Sequence, residues 1–174
     1  MTTIVSADEI KKGLPDYSPG KAEQFHTRSA KLADKEFEFE LKNSNFREVI
    51  LLCGGTASGK TEFLAAHLAN RKECLVFDAT LSTEEGARIK LKKIIHAKNK
   101  PVVYAVIPDD LERAFIAFLH RDRKFSDAHF YRTHSGSRKT LLFIALNYPE
   151  VRINIIESSY TKDDKLQFSK IEFN

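Results

Sequence analysis

The chain has 174 residues and a net charge of +4 at neutral pH, with 42% hydrophobic and 30% charged residues. This length and composition are typical of one globular domain, and they exclude a disordered or fibrous protein. The small positive charge suits an anionic ligand such as a nucleotide, but it does not require a nucleic-acid partner.

The N-terminal region is expected to be irregular. Residues 1–20 carry two prolines and a glycine near their end, which favours a lead-in without regular structure. Residues 1–12 contain two acidic residues and no long apolar run, so they do not resemble a signal peptide. No apolar run in the chain approaches the length of a membrane span, so we expect a cytoplasmic protein with no membrane partner.

Apolar runs alternate with helical patterns over residues 21–174, which are expected to form a single domain. The predicted strands are Val49–Cys53, Cys74–Ala79, Val102–Ile107 and Val151–Ile156, with a possible edge strand at Lys165–Phe173. The predicted helices are 21–43, 61–69, 84–96, 109–119 and 138–146. Alternation over 36–41 would also suit a strand.

Strands separated by helices predict an α/β fold. Specifically, we expect a three-layer P-loop NTPase fold with a mainly parallel central sheet flanked by helices. The two cysteines, Cys53 and Cys74, lie at the ends of apolar runs. They are expected to be buried free thiols rather than part of a disulfide framework.

A glycine-rich motif, here called the glycine loop, follows the first of these strands. Its residues are Gly54, Gly55, Thr56, Ala57, Ser58, Gly59, Lys60 and Thr61. They match G-x-x-x-x-G-K-T between a strand and a helix, where backbone N–H groups can point at phosphate oxygens. Lys60 is expected to reach the β- and γ-phosphates, and Thr61 to place its hydroxyl on Mg²⁺. The sequence therefore predicts a site for ATP with Mg²⁺.

The second predicted strand ends in a carboxylate, Asp78. Beside a phosphate site, this residue is expected to hold a metal-bound water or to take the proton from an acceptor hydroxyl. Thr80, two residues later, is a candidate substrate contact. Away from such a site, Asp78 would be an ordinary residue at the end of a strand.

A polar and basic segment at about residues 121–137 is expected to act as a lid. Planar arginine side chains offset the charge of a transferring phosphoryl group well, and a closing lid excludes water. Arg121 and Arg123 are the predicted catalytic residues of this lid, and Arg132 is a candidate for binding substrate. The alternative is a solvated basic loop.

Three segments together resemble the zeta toxin family of phosphate-loop kinases. They are residues 54–63, residues 75–80 and the arginine-rich segment after Pro108-Asp109-Asp110, within a similarity that covers roughly residues 20–157. The resemblance implies an ATP-dependent kinase that phosphorylates a sugar hydroxyl of UDP-N-acetylglucosamine, with an inhibitory antitoxin protein as a partner.

The resemblance also assigns roles to individual residues. Lys60 and Thr61 match the family's phosphate and magnesium positions, residues 78–80 its substrate cleft, and Arg121 and Arg123 its lid arginines. The family carries another strand, ending in an aspartate base, before the strand that corresponds to the Asp78 strand. In this chain, residues 62–73 are mostly occupied by the predicted helix, so that strand has no counterpart there.

Two other functions stay open at the level of sequence. One is a nucleotide-binding regulatory protein or ATPase without acceptor kinase activity. The other is a polynucleotide kinase, in which the basic segment would contact a nucleic-acid backbone. Nucleic acid is therefore a possible but less favoured partner than a small-molecule or nucleotide-sugar acceptor.

Overall fold

Six strands form one central sheet in the computed structural model, which describes residues 2–172. The strands are β1 (Thr2–Ser6), β2 (Glu48–Cys53), β3 (Cys74–Asp78), β4 (Pro101–Pro108), β5 (Arg152–Tyr160) and β6 (Leu166–Ile171). The helices are α1 (Ala7–Lys12), α2 (Ala22–Asn43), α3 (Lys60–Phe63), α4 (Glu84–His96), α5 (Leu111–Leu119) and α6 (Asp127–Asn147). A π-helical turn over Leu64–Leu68 continues α3.

The order of the strands in the sheet is β1-β3-β2-β4-β5-β6. The first five are parallel to their neighbours, and only β6 runs antiparallel to β5. The predicted α/β class, the mainly parallel sheet and the four internal strands are thus confirmed. Residues 36–41 are helical, so the alternative strand is wrong.

The strand β2 lies in the middle of the sheet and sends side chains to both faces. Val49, Leu51 and Cys53 belong to a core cluster that contains residues of α2, α4 and α6. Ile50 and Leu52 belong to a second cluster, which contains residues of α3 and its π-helical turn. Both faces of the sheet are therefore covered, which explains why β2 is an uninterrupted apolar run.

The expected irregular lead-in is partly wrong, because residues 2–12 form a strand and a short helix, whereas residues 13–18 lie outside regular structure. β1 pairs in parallel with β3, and Val5 is fully buried in the core. Five residues are too few to show a clear period, and pairing with a strand about 70 residues away provides their hydrogen bonds. The signal that was available is the β-branched content of residues 2–5.

The expected lid over residues 121–137 is also partly wrong, because α6 begins at Asp127. Only the first six residues of the predicted segment, up to Ser126, lie outside helix. The buried face of the first turns of α6 is largely polar, so a search for apolar periodicity does not detect it. Its buried members are His129, Phe130, Thr133, His134, Ser137 and Thr140.

Three further predictions concern the tail, the cysteines and the membrane. β6 confirms the edge strand over most of its predicted length, and Phe173 lies outside the described residues. Cys53 and Cys74 are both buried and free, as expected. Within residues 2–172, the helices include none with the length and apolarity needed to cross a membrane.

Candidate nucleotide-binding site

A cavity of about 470 Å³ opens where β1, β2 and β3 end. This volume lies within the range of about 300–1,000 Å³ that is usual for ligand pockets. The loop after β2 leads to α3 on one face of the sheet, whereas the loop after β3 leads to α4 on the other. Parallel sheets form a binding crevice where successive connections diverge in this way.

The glycine loop forms one side of the cavity, and its backbone requires two of its glycines. Gly59 has a φ of 85°, and Gly54 has a φ of 145°. A Cβ atom on Gly54 would lie 2.4 Å from the carbonyl oxygen of Val106, which is not possible without displacing β4. The motif residues therefore bring the backbone into a tight turn that larger residues would not allow.

The ammonium group of Lys60 is arranged as expected for an anion site. Ser58 also lines the cavity, but its Oγ is buried and has no hydrogen-bond partner among residues 2–172. Lys60 Nζ donates to the carbonyl oxygens of Gly54 and Gly55, at 2.9 Å each. The ammonium group is therefore held over the loop, directly beside the cavity.

Lys60 and Asp78 influence each other electrostatically across the site. Burial lowers the pKa of Lys60, and the negative charge of Asp78 opposes this shift. Burial likewise raises the pKa of Asp78, and the positive charge of Lys60 opposes it. Both side chains line the cavity, so the structure brings together Lys60 and Asp78, two of the predicted catalytic residues.

The residues present fit a magnesium ion that is held mainly by a nucleotide. Thr61 and Asp78 both line the cavity and offer oxygen ligands. No cluster of three or more His, Cys, Asp or Glu suited to a metal occurs within residues 2–172. Mg²⁺ in phosphoryl-transfer sites commonly uses one or two protein ligands together with substrate phosphates and water.

Asp8 also lines the cavity, although no sequence motif indicates it. β1 aligns Ser6 with Asp78, and the Ser6 hydroxyl donates to Asp78 Oδ2 at 3.3 Å. Asp8 follows two residues later and is bound by Arg123 and by Lys11, the latter at 3.1 Å. Burial would raise the pKa of Asp8, but the charges of these two cations hold it at about 2. Asp8 therefore stays ionised at neutral pH, at the edge of the site.

The structure brings together three of the four other predicted site residues, which are two catalytic arginines and two substrate contacts. Arg121, Arg123 and Thr80 line the cavity, whereas Arg132 is exposed on α6 and does not. Burial and the neighbouring charge of Arg123 lower the pKa of Arg121. The carbonyl oxygen of Thr80 accepts from the N–H of Gly54 at 3.3 Å, so Thr80 also positions the glycine loop.

The first half of α6 packs against the glycine loop instead of covering it as a lid. Thr133 Oγ1 accepts from the N–H of Thr56 at 3.1 Å. His134 lies 2.8 Å from the carbonyl oxygen of Thr56 through Nε2, which must donate. A Cβ atom on Gly55 would lie 2.4 Å from the His134 ring. His134 thus contacts the loop backbone and fixes its position.

Buried histidines predict that stability falls in mild acid. Burial lowers the pKa of His129 and of His134 to about 4, against about 6.5 in an unfolded chain. Between these values the unfolded state binds more protons, so the stabilisation is complete above pH 6.5 and is lost as the pH falls toward 4. Lowering the pH from 7 toward 4 is therefore expected to cost about 1–3 kcal/mol for each ring.

The measurement is urea unfolding at pH 7, 6, 5 and 4.5 for the wild type and for His129→Phe. The variant removes one titrating ring and keeps an aromatic one beside Phe125, whose ring stacks on His129 at 4.4 Å. We expect a shallower fall in the free energy of unfolding for the variant. Equal pH dependence in the two proteins would contradict the role of His129.

Comparison with known proteins does not place the chain in a family. No family model matches it, and no curated protein matches it significantly. The chemistry of the cavity is therefore the basis on which a function is proposed.

Proposed function

We propose that this protein is a phosphotransferase that moves the γ-phosphoryl group of ATP, with Mg²⁺, to a hydroxyl of a small acceptor. One observation carries the proposal. A single cavity combines the glycine loop with Lys60, Asp78 and Arg121. The proposal includes a P-loop NTPase fold and a kinase activity like that of the zeta toxins, which the motifs suggested.

The glycine loop and Lys60 are assigned to the triphosphate. Lys60 Nζ donates to the carbonyl oxygens of Gly54 and Gly55. Rotation of this side chain can bring Nζ to phosphate oxygens without a change in the backbone. Mg²⁺, when bound, neutralises charge between the phosphates, and Thr61 and Asp78 are the side chains that would hold it. Thr133 and His134 keep Thr56 in place, so the loop does not have to be organised when the nucleotide binds.

In the transfer step, the acceptor oxygen forms a bond to the γ-phosphorus, and the bond between this phosphorus and the bridging oxygen breaks. The electron pair stays with ADP, and the hydroxyl proton passes to Asp78. Arg123 and Lys11 both bind Asp8, whereas Asp78 accepts a side-chain hydrogen bond only from Ser6 within residues 2–172, which favours Asp78 over Asp8 for this role. Arg121 stabilises the charge that develops on the transferring group.

One observation favours the alternative of a nucleotide-binding regulatory protein or ATPase without an acceptor. Arg123, a predicted catalytic residue, is engaged by Asp8 in the structure. If the nucleotide does not release this pair, only Arg121 is available to the phosphoryl group. Hydrolysis by water would then compete with transfer to an acceptor.

Mass spectrometry of acceptors incubated with the protein, ATP and Mg²⁺ tests the proposal. The panel contains UDP-N-acetylglucosamine, free sugars, nucleosides and a short oligonucleotide. A product heavier by one phosphoryl group, formed together with ADP, supports the kinase. Formation of ADP and phosphate without such a product supports an ATPase. The absence of both ADP and a phosphorylated product would overturn the kinase and the ATPase, and it would leave only a protein that binds the nucleotide without turnover.

Asp78→Asn is expected to lower kcat by about 10²-fold, while the affinity for ATP without metal changes little. The amide preserves the shape of the side chain but cannot take a proton, a role that contributes about 10²–10⁴-fold. Steady-state kinetics and calorimetric titration of ATP separate the two effects. Asp122→Asn, an exposed change in the loop that carries Arg121, is the control. Full turnover by Asp78→Asn would remove Asp78 from the mechanism.

A further inference from the structure

The part of the cavity away from the glycine loop has a wall with a distinct chemistry. We call it the α2 wall, and its residues are His26, Ala30, Asp34, Phe125 and His129. The first three are spaced by four residues along α2, so they lie on one face of that helix. The other two come from the chain just before α6 and from its first turn. No role was predicted for any of these residues from the sequence.

Aromatic rings dominate one end of the α2 wall. The rings of Phe125 and His129 are stacked, with centroids 4.4 Å apart and planes 22° apart. His26 presents its ring edge-on to both, at 5.8 Å and 5.3 Å. Next to them, Ala30 has only a methyl group, so space remains in front of the rings. A flat ring is the kind of ligand that packs well on such a surface.

The charged side chains around the α2 wall are already paired with one another. Lys90 lies 3.0 Å from Asp34, and both line the cavity. Arg123 and Lys11 both bind Asp8. Burial lowers the pKa of His26 and lowers the pKa of His129 to about 4, so both rings are uncharged at neutral pH. A polyanion placed here would face two carboxylates and would have to break existing ion pairs.

We propose that the α2 wall is the acceptor site and that it binds an uncharged ring compound with hydroxyl groups, of which a nucleoside is the best-fitting class. The ring packs in front of Phe125 and His129, and the hydroxyls donate to the carboxylates of Asp34 and Asp8. This inference rests on the proposed phosphotransferase, and it names the substrate class. It differs from the resemblance to zeta toxins, which implies the doubly charged UDP-N-acetylglucosamine as acceptor.

Direct binding in the absence of ATP tests this site separately from the glycine loop. Calorimetry or ligand-observed NMR with uridine, cytidine, guanosine, adenosine and N-acetylglucosamine is compared with UDP-N-acetylglucosamine as the charged reference. Two variants reduce the α2 wall, Ala30→Leu by filling the space and Phe125→Ala by removing a ring. The control is Lys31→Leu, which adds the same side chain at an exposed neighbouring position on α2.

We expect the wild type and Lys31→Leu to bind at least one uncharged nucleoside more tightly than UDP-N-acetylglucosamine. We expect Ala30→Leu and Phe125→Ala each to weaken that binding by at least about tenfold, which corresponds to about 1.4 kcal/mol. The proposal is overturned if none of the uncharged compounds binds, if the UDP-sugar binds more tightly than all of them, or if both wall variants bind like the wild type. Because ATP is absent, failure of the glycine loop to bind a nucleotide would not produce any of these results.

Discussion

Replacing Lys60 by alanine is expected to abolish most of the stabilisation that ATP with Mg²⁺ gives this protein. At a ligand concentration of 100 times Kd, binding adds about 2.7 kcal/mol to the free energy of unfolding. For a domain of this size, that raises Tm by about 5–10 °C. Without the ammonium group, the β- and γ-phosphates lose the charge that Lys60 Nζ holds beside them. We expect the ATP-dependent rise in Tm to fall to about 1 °C or less.

The comparison uses the rise in Tm within each protein, because removal of a buried side chain also changes the stability without ligand. Lys60→Met retains much of the side-chain volume but not the charge, and it should behave like Lys60→Ala. Lys72→Ala, an exposed change outside the cavity, should respond to ATP like the wild type. An equal rise in Tm for the wild type and both Lys60 variants would refute nucleotide binding by the glycine loop.

Arg121→Ala is expected to lower kcat by about 10³-fold with little change in the affinity for ATP. Arg121 lines the cavity and forms no ion pair with any residue from 2 to 172. An arginine that stabilises a transferring phosphoryl group contributes about 10³–10⁵-fold to kcat. Because this interaction strengthens in the transition state, it affects turnover more than binding. Steady-state kinetics and nucleotide titration on the same preparation measure the two quantities.

Arg123→Ala should give a different result, because Arg123 binds Asp8. Its loss leaves a half-buried carboxylate with only Lys11 as a partner, so we expect a lower Tm and a smaller loss of kcat than for Arg121→Ala. Arg121→Lys should restore activity only in part, since an ammonium group lacks the planar fork of arginine. Lys124→Ala is the exposed control in the same loop. Equal effects of the two arginine changes on kcat would contradict this division of roles.

Local sequence patterns predict the central part of this fold but not its N-terminus. The glycine loop and the strand that ends in Asp78 both carry their signal within a few consecutive residues. Residues 2–8 carry no comparable signal, although they supply the outer neighbour of β3 and Asp8.

The basic segment also depends on contacts with distant parts of the chain, which local sequence patterns do not show. Arg121 and Arg123 line the cavity but Arg132 does not, and only residues 138–146 of the helix that begins at Asp127 were predicted as helix. Polar side chains such as Thr133 and His134 are buried there because the backbone of Thr56 provides their hydrogen bonds. A buried polar face is acceptable only when such partners exist, and a single sequence does not reveal them.

The sequence by itself determined the α/β class, the central strands and the position and shape of the glycine loop, because periodicity and glycine content act over short distances along the chain. Only the tertiary structure decided that β1 completes the sheet, that α6 holds the glycine loop, and that Asp8, Arg123 and the α2 wall meet around one cavity. These features depend on contacts between segments that are far apart in sequence, such as the pairing of Asp8 with Arg123. Such pairings follow from how the parallel strands are ordered, which no local propensity encodes.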